Sequence, residues 1–100
     1  MKTALLFAAA LVAVSGTASA SQQLAQQRGC MSCHQIERKT VGPSYKDVAK
    51  KYKGDASAEA KLVEAVKKGG KGVWGTVPMP PHPQVKDEEI QSIVQWVLSL

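Results

Sequence analysis

The chain has 100 residues, 44% of them hydrophobic and only 5% aromatic, with a formal net charge of +5. That length bounds it to one domain. No basic run is interleaved with aromatic side chains, which argues against nucleic-acid binding. So short a chain with so few aromatics leans on a disulfide, metal or cofactor to complete its core.

In chain order, the first element does not belong to the folded domain. Lys2 gives a positive start, Ala4 to Val14 form an unbroken apolar run, and Ala18-Ser19-Ala20 reads as a small-residue cleavage site. A membrane-spanning helix needs roughly 20 apolar residues, so the run is read as a secretory signal over residues 1–20 rather than as a retained anchor. The domain is then 21–100. It loses one lysine with the signal and keeps a charge of about +4, since the remaining charges all lie downstream. Most of its lysines fall between Lys39 and Lys71. Such a basic face suits acidic partners or anionic surfaces, and it equally keeps an exported protein soluble.

Gln22 to Arg28 contains no helix breaker and predicts a short helix that stops at Gly29. Gly29 either ends that helix or admits the close approach of another one. Immediately after it comes Cys30-Met31-Ser32-Cys33-His34. Cys-x-x-Cys-His is the attachment pattern for c-type haem. Two thiols three positions apart can form thioethers with two vinyl groups of one porphyrin. The adjoining histidine then offers an imidazole nitrogen to the iron. An oxidising compartment would alternatively favour a disulfide between Cys30 and Cys33.

Gln35 to Gly42 has no period and reads as a loop. Pro43 fixes its own backbone and restricts Gly42 before it. Ser44 is the expected N-cap of a second helix, in which Tyr45, Val48, Ala49 and Tyr52 share one face and which Gly54 ends. Asp55 and Ser57 are both candidate caps for a third helix. Its face is Ala58, Leu62, Ala65 and Val66, with Lys67 and Lys68 at its C-terminal end and Gly69-Gly70 as its stop.

Lys71 to Pro83 is expected to be irregular, being rich in glycine and proline. Within it, Val77-Pro78-Met79-Pro80-Pro81 places a methionine between prolines that leave the backbone few conformations. A thioether is a weak ligand, and a stiff loop lowers the cost of holding it. Met79 is therefore the expected sixth ligand of the iron, opposite His34. Core packing is the competing role for a methionine, and His82 is the competing ligand. Asp87 is the expected cap of a last helix, in which Ile90, Ile93, Val94, Val97 and Leu98 follow the amphipathic spacing closely. No strand pattern or internal repeat occurs. The reading is all-α, with four short helices joined by irregular loops and the last helix packed on the first.

The Cys30–His34 motif, Val41-Gly42-Pro43-Ser44-Tyr45-Lys46-Asp47-Val48-Ala49, Gly72-Val73-Trp74-Gly75 and Pro78-Met79-Pro80-Pro81 together resemble the small bacterial class I cytochromes c of the c551 (c8) type, over essentially all of residues 22–100. The resemblance implies the class I fold wrapped around one covalently attached haem c, and a monomeric periplasmic electron shuttle. It would pass electrons from membrane quinol-oxidising complexes to terminal enzymes such as a nitrite reductase or an oxidase. By the same resemblance, the Pro43 carbonyl would face the free nitrogen of His34, and Trp74 would point its indole N–H at a haem propionate. Plain core packing is the alternative for Trp74. Two positions depart from the pattern. Relatives often carry an aromatic where this chain has Ala25, which implies looser packing against Trp96. They often carry an asparagine that bonds the methionine sulfur where this chain has His82. A histidine there would tie the potential to pH, and a His82→Asn variant with an unchanged potential-versus-pH curve would remove that link.

These residues predict a one-electron carrier and not an enzyme, with low-spin, six-coordinate haem. Redox partners would dock transiently at an exposed haem edge through a small apolar patch ringed by lysines such as Lys39, Lys46, Lys50 and Lys71. The alternative is a haem enzyme or gas sensor with an open sixth position, which Met79 opposes. A thiol–disulfide protein would need a thioredoxin-like strand pattern. A zinc site would need a second ligand pair beyond His34 and His82. Lys68-Gly69-Gly70-Lys71-Gly72 is no phosphate loop, having no Ser or Thr after Lys71 and no strand before it. Stable membrane insertion is not expected once the signal is removed.

Overall fold

The structure is a computed structural model that describes the backbone of residues 16–100 and side chains from residue 19 onward. Residues 1–15 of the expected signal lie outside it. Four α-helices follow in order: α1 Gly16–Gln27, α2 Tyr45–Lys51, α3 Ala58–Lys68 and α4 Asp87–Leu98, with a 3-10 turn at Cys30–Ser32 after α1. Among the described residues there is no strand, and no helix is long and apolar enough to cross a membrane.

The helices form where the apolar spacing places them, and their ends have specific causes. α1 begins six residues before the expected Gln22 and runs through the expected cleavage position. It stops because Gly29 adopts φ 81°, and a Cβ there would meet open space. The close-approach role for Gly29 is thus not realised, and the glycine serves as a stop. Ser44 caps α2 as expected, its Oγ accepting from the Asp47 N–H at 3.1 Å. At α3 the N-cap position is Ser57, but its side chain does not bond back to the helix. Asp55 Oδ1 instead accepts from both the N–H and the hydroxyl of Ser57, at 2.9 and 2.6 Å. The expected cap Asp87 is the first residue of α4 rather than its cap. Lys86 occupies the N-cap, and Glu89 reaches back to accept from its N–H at 3.2 Å. Asp87 lies in the first turn and pairs with Lys67 at 3.1 Å.

α4 is the hub, packing on each of the other three helices. Its buried stripe is Ile90, Ile93, Val94, Trp96 and Val97. Burying a side chain such as that of Ile90 contributes about 1.5–3 kcal/mol. One cluster gathers Ala25, Tyr45, Val48, Ile93, Trp96 and Val97. The other joins Val85, Ile90 and Val94 to Leu62, Val63 and Val66 of α3. Ala25 is fully buried and Trp96 only 6% exposed. The indole of Trp96 meets the Tyr45 ring edge-on at 5.4 Å. The expected looseness at Ala25 is therefore absent, because Trp96 and Tyr45 occupy the space between α1, α2 and α4. Arg28 ties α1 to α4 by a 2.6 Å ion pair with Glu89.

Candidate functional site

The 3-10 turn places Cys30 and Cys33 at the foot of α1, both partly buried and neither in a disulfide. Burial pushes the Cys30 thiol up, with Tyr45 beside it acting in the opposite direction. Burial also lifts the Tyr45 phenol far above its ordinary range and keeps it neutral.

His34 is fixed from three sides. Its Nδ1–H donates to the Pro43 carbonyl at 2.8 Å. A carbonyl can only accept, so the proton is on Nδ1 and the Nε2 lone pair remains for another partner. The Tyr45 ring stacks on the imidazole at 4.9 Å, 17° from parallel. Gly42 closes the third side: a Cβ there would lie 2.6 Å from His34 Cε1 and 2.9 Å from Nδ1. The loop is locked in turn, since the Gly42 N–H donates to the Cys33 carbonyl at 2.7 Å and the Tyr45 N–H to that of Gln35 at 2.9 Å. The contact expected between Pro43 and His34 is thus present. Gly42 and Tyr45 are the partners that sequence reasoning missed. The glycine's position just before Pro43 was the available signal.

Met79 lies in the irregular Lys71–Pro83 segment. Its backbone is held by an antiparallel bridge to Gly70, with Gly70 N–H to Met79 O at 3.0 Å and Met79 N–H to Gly70 O at 2.8 Å. The His82 N–H donates to the Val66 carbonyl of α3 at 3.0 Å, while its Nδ1 is buried without a partner among the described residues. Trp74 belongs to neither core cluster. It is 39% exposed, and Lys51 Nζ lies 5.6 Å from its ring centre. The plain-core alternative for Trp74 therefore does not hold. Lys51 also lies 5.9 Å from the Tyr52 ring, linking the end of α2 to the Trp74 loop. The motif residues and Pro43 form one group; Met79 and Trp74 belong to the other segment, tied to α3 and α2.

Among the described residues no three His, Cys, Asp or Glu side chains gather as a group that could hold a single metal ion. The residues fit a haem instead. Two unpaired thiols sit beside an imidazole whose second nitrogen is available, and a thioether is held in a clamped loop. Val73, Trp74 and Val77 of that loop are large apolar side chains left substantially exposed, 60%, 39% and 62%. Such a concentration of exposed apolar surface marks a ligand-binding or interaction site.

The known proteins most similar to this chain fall in one family. The family model described as Cytochrome c matches residues 18–100. The chain is 52% identical to cytochrome c-552 of Hydrogenobacter thermophilus over 91 residues, covering 91% of this chain and 92% of the relative. It is 47% identical to cytochrome c-551 of Pseudomonas aeruginosa, covering 95% of this chain and 90% of the relative. The crystal structure of wild-type Nitrosomonas europaea cytochrome c552 superposes with a TM-score of 0.77 at 42% identity, covering 79% of this chain and 98% of the other.

Proposed function

The chain belongs to the cytochrome c family, and from that premise we propose that it is a periplasmic one-electron carrier, exported by residues 1–20 and acting as a monomer. Family membership with two cysteines fits one covalently attached haem c. Bound haem supplies a reversible one-electron couple at iron. Cys30 and Cys33 would tether it, and His34 Nε2 and the Met79 sulfur would be its iron ligands. The observation that carries this reading is the His34–Pro43 hydrogen bond at 2.8 Å. It fixes the tautomer, raises the basicity of the ligating nitrogen, and holds the ring in one orientation. Methionine opposite histidine raises the reduction potential. Trp74 would offer its indole N–H to a propionate.

Transfer to partners needs a docking face and no chemistry of its own. Val73 and Val77 supply exposed apolar area. Lys39, Lys50 and Lys71 are candidate positive contacts for a partner, and Lys46 is engaged by Glu37 at 2.7 Å. Partners on the donor side are membrane quinol-oxidising complexes. Acceptors are terminal reductases, of the nitrite reductase type, or oxidases.

The test is an optical spectrum of the mature haemoprotein after acid-solvent extraction. Retained haem with low-spin bands and the weak far-red sulfur-to-iron band is the expected result. Met79→Ala should abolish the far-red band and let the reduced protein bind carbon monoxide. A high-spin spectrum, or carbon monoxide binding by the unaltered protein, would move the reading to an enzyme or gas sensor with an open sixth position.

A further inference from the structure

Gly69 reads from sequence as the residue that ends α3, and its backbone does end it, at φ 74° and ψ −177°. That region is essentially confined to glycine. A helix stop alone would need only the backbone angle. Gly54 ends α2's trailing turn at φ 81° with nothing within 4 Å of a Cβ. Gly69 differs in what faces it. A Cβ there would lie 2.5 Å from the Met79 carbonyl oxygen, 2.9 Å from the Pro81 nitrogen and 3.1 Å from the Pro80 carbonyl carbon.

All three are backbone atoms, so no side chain can swing aside to make room. Two belong to prolines, whose locked φ leaves little freedom to bend. The segment is also held on both sides of this contact. Met79 is pinned by two hydrogen bonds to Gly70, at 3.0 and 2.8 Å, and His82 by one to Val66 at 3.0 Å. The carbonyl that a Cβ would strike is the one that accepts from the Gly70 N–H. A side chain at position 69 would therefore push the Met79 backbone off α3 or break the bridge. Either movement carries the Met79 sulfur with it.

We propose that Gly69 is a positioning residue for Met79: its missing side chain lets the methionine loop seat against the end of α3 and so sets where the sulfur lies. This rests on the reading of Met79 as the sixth ligand. A weak ligand tolerates little displacement, because a thioether that must be carried to the iron loses out to water or an added gas ligand.

The experiment compares Gly69→Ala, Gly54→Ala and Met79→Ala in the mature haemoprotein. The far-red band, carbon monoxide binding by the reduced form, and midpoint potential are read beside thermal unfolding. Gly69→Ala is expected to retain its haem, lose most of the far-red band, gain carbon monoxide binding and lower the potential. Gly54→Ala carries a similar positive φ without the contact, and is expected to lose thermal stability while keeping the band. A full-intensity band in Gly69→Ala, or an equal loss in Gly54→Ala, overturns the proposal. If Met79→Ala keeps the band, the ligand reading itself fails, and the role of Gly69 falls with it. Should Gly69→Ala yield no mature protein, Gly69→Ala/Pro81→Ala relaxes one side of the contact. That variant is expected to mature with a weakened band, and a full band there also overturns the proposal.

Discussion

At Gly42 a single hydrogen atom faces the His34 ring where any other residue would place carbon within 2.6 Å of Cε1. Gly42→Ala must therefore tilt the imidazole or move the loop, and the loop is tied to the Cys33 carbonyl at 2.7 Å. Overpacking of this kind costs about 1–3 kcal/mol. The expected outcome is a lower denaturant midpoint in the haemoprotein, together with a changed ligand-field spectrum from a reoriented His34. Unaltered stability and spectrum would show that the ring has slack there. The proposed ligands were nameable from the sequence, because chemistry restricts such donors to few residue types. Gly42 and Gly69 were not legible in their full roles. A glycine is recognised by what it allows the backbone to do, and what an absent side chain leaves room for is a property of distant residues.

The helices show how local rules and tertiary contacts divide the work. Ser44 is buried and caps a helix of only seven residues, just after the carbonyl that holds His34. Ser44→Ala should cost about 1 kcal/mol in chemical denaturation, and more if the neighbouring Pro43 carbonyl shifts. Asp55 offers a test by pH. Ser57 and Lys61 hold its carboxylate down from the ordinary 3.8 to about 2. A depressed carboxylate contributes stability that is complete above its unfolded value and is lost as pH falls through its folded one. The Tm deficit of Asp55→Ala should thus be constant near neutrality and shrink between about pH 3.8 and about 2. A deficit that stays constant through that window would contradict it. Helix positions followed from apolar spacing and glycine stops, and so did the cap at Ser44, but the cap of α4 did not. Glu89 caps α4 from inside the helix, so inspection of the residue before the apolar stripe points to Asp87 instead. The Gly70–Met79 bridge was illegible for another reason: one pair of residues has no period to read.

On the scale of the whole molecule, the apolar surface is divided between a core centred on α4 and a loop, Lys71–Pro83, that presents Val73, Trp74 and Val77 outward. The first is the protein's own; the second suits a cofactor it must acquire. A Cys30→Ala/Cys33→Ala chain, unable to tether haem, is expected to lose far-UV helical signal and to show a broad thermal transition or none. A sharp transition near that of the haemoprotein would mean that the helices suffice alone. The pairing of α1 with α4 has a further consequence for the order of events during synthesis. Arg28 and Glu89 are 61 residues apart along the chain, and Ala25 finds its cover in Ile93, Trp96 and Val97. Until α4 has been made, the face of α1 that precedes the cysteines has no lid. Contacts so distant in sequence form late, because the intervening chain must first lose its freedom. Cys30 and Cys33 therefore pass through a period of open access before the domain shuts.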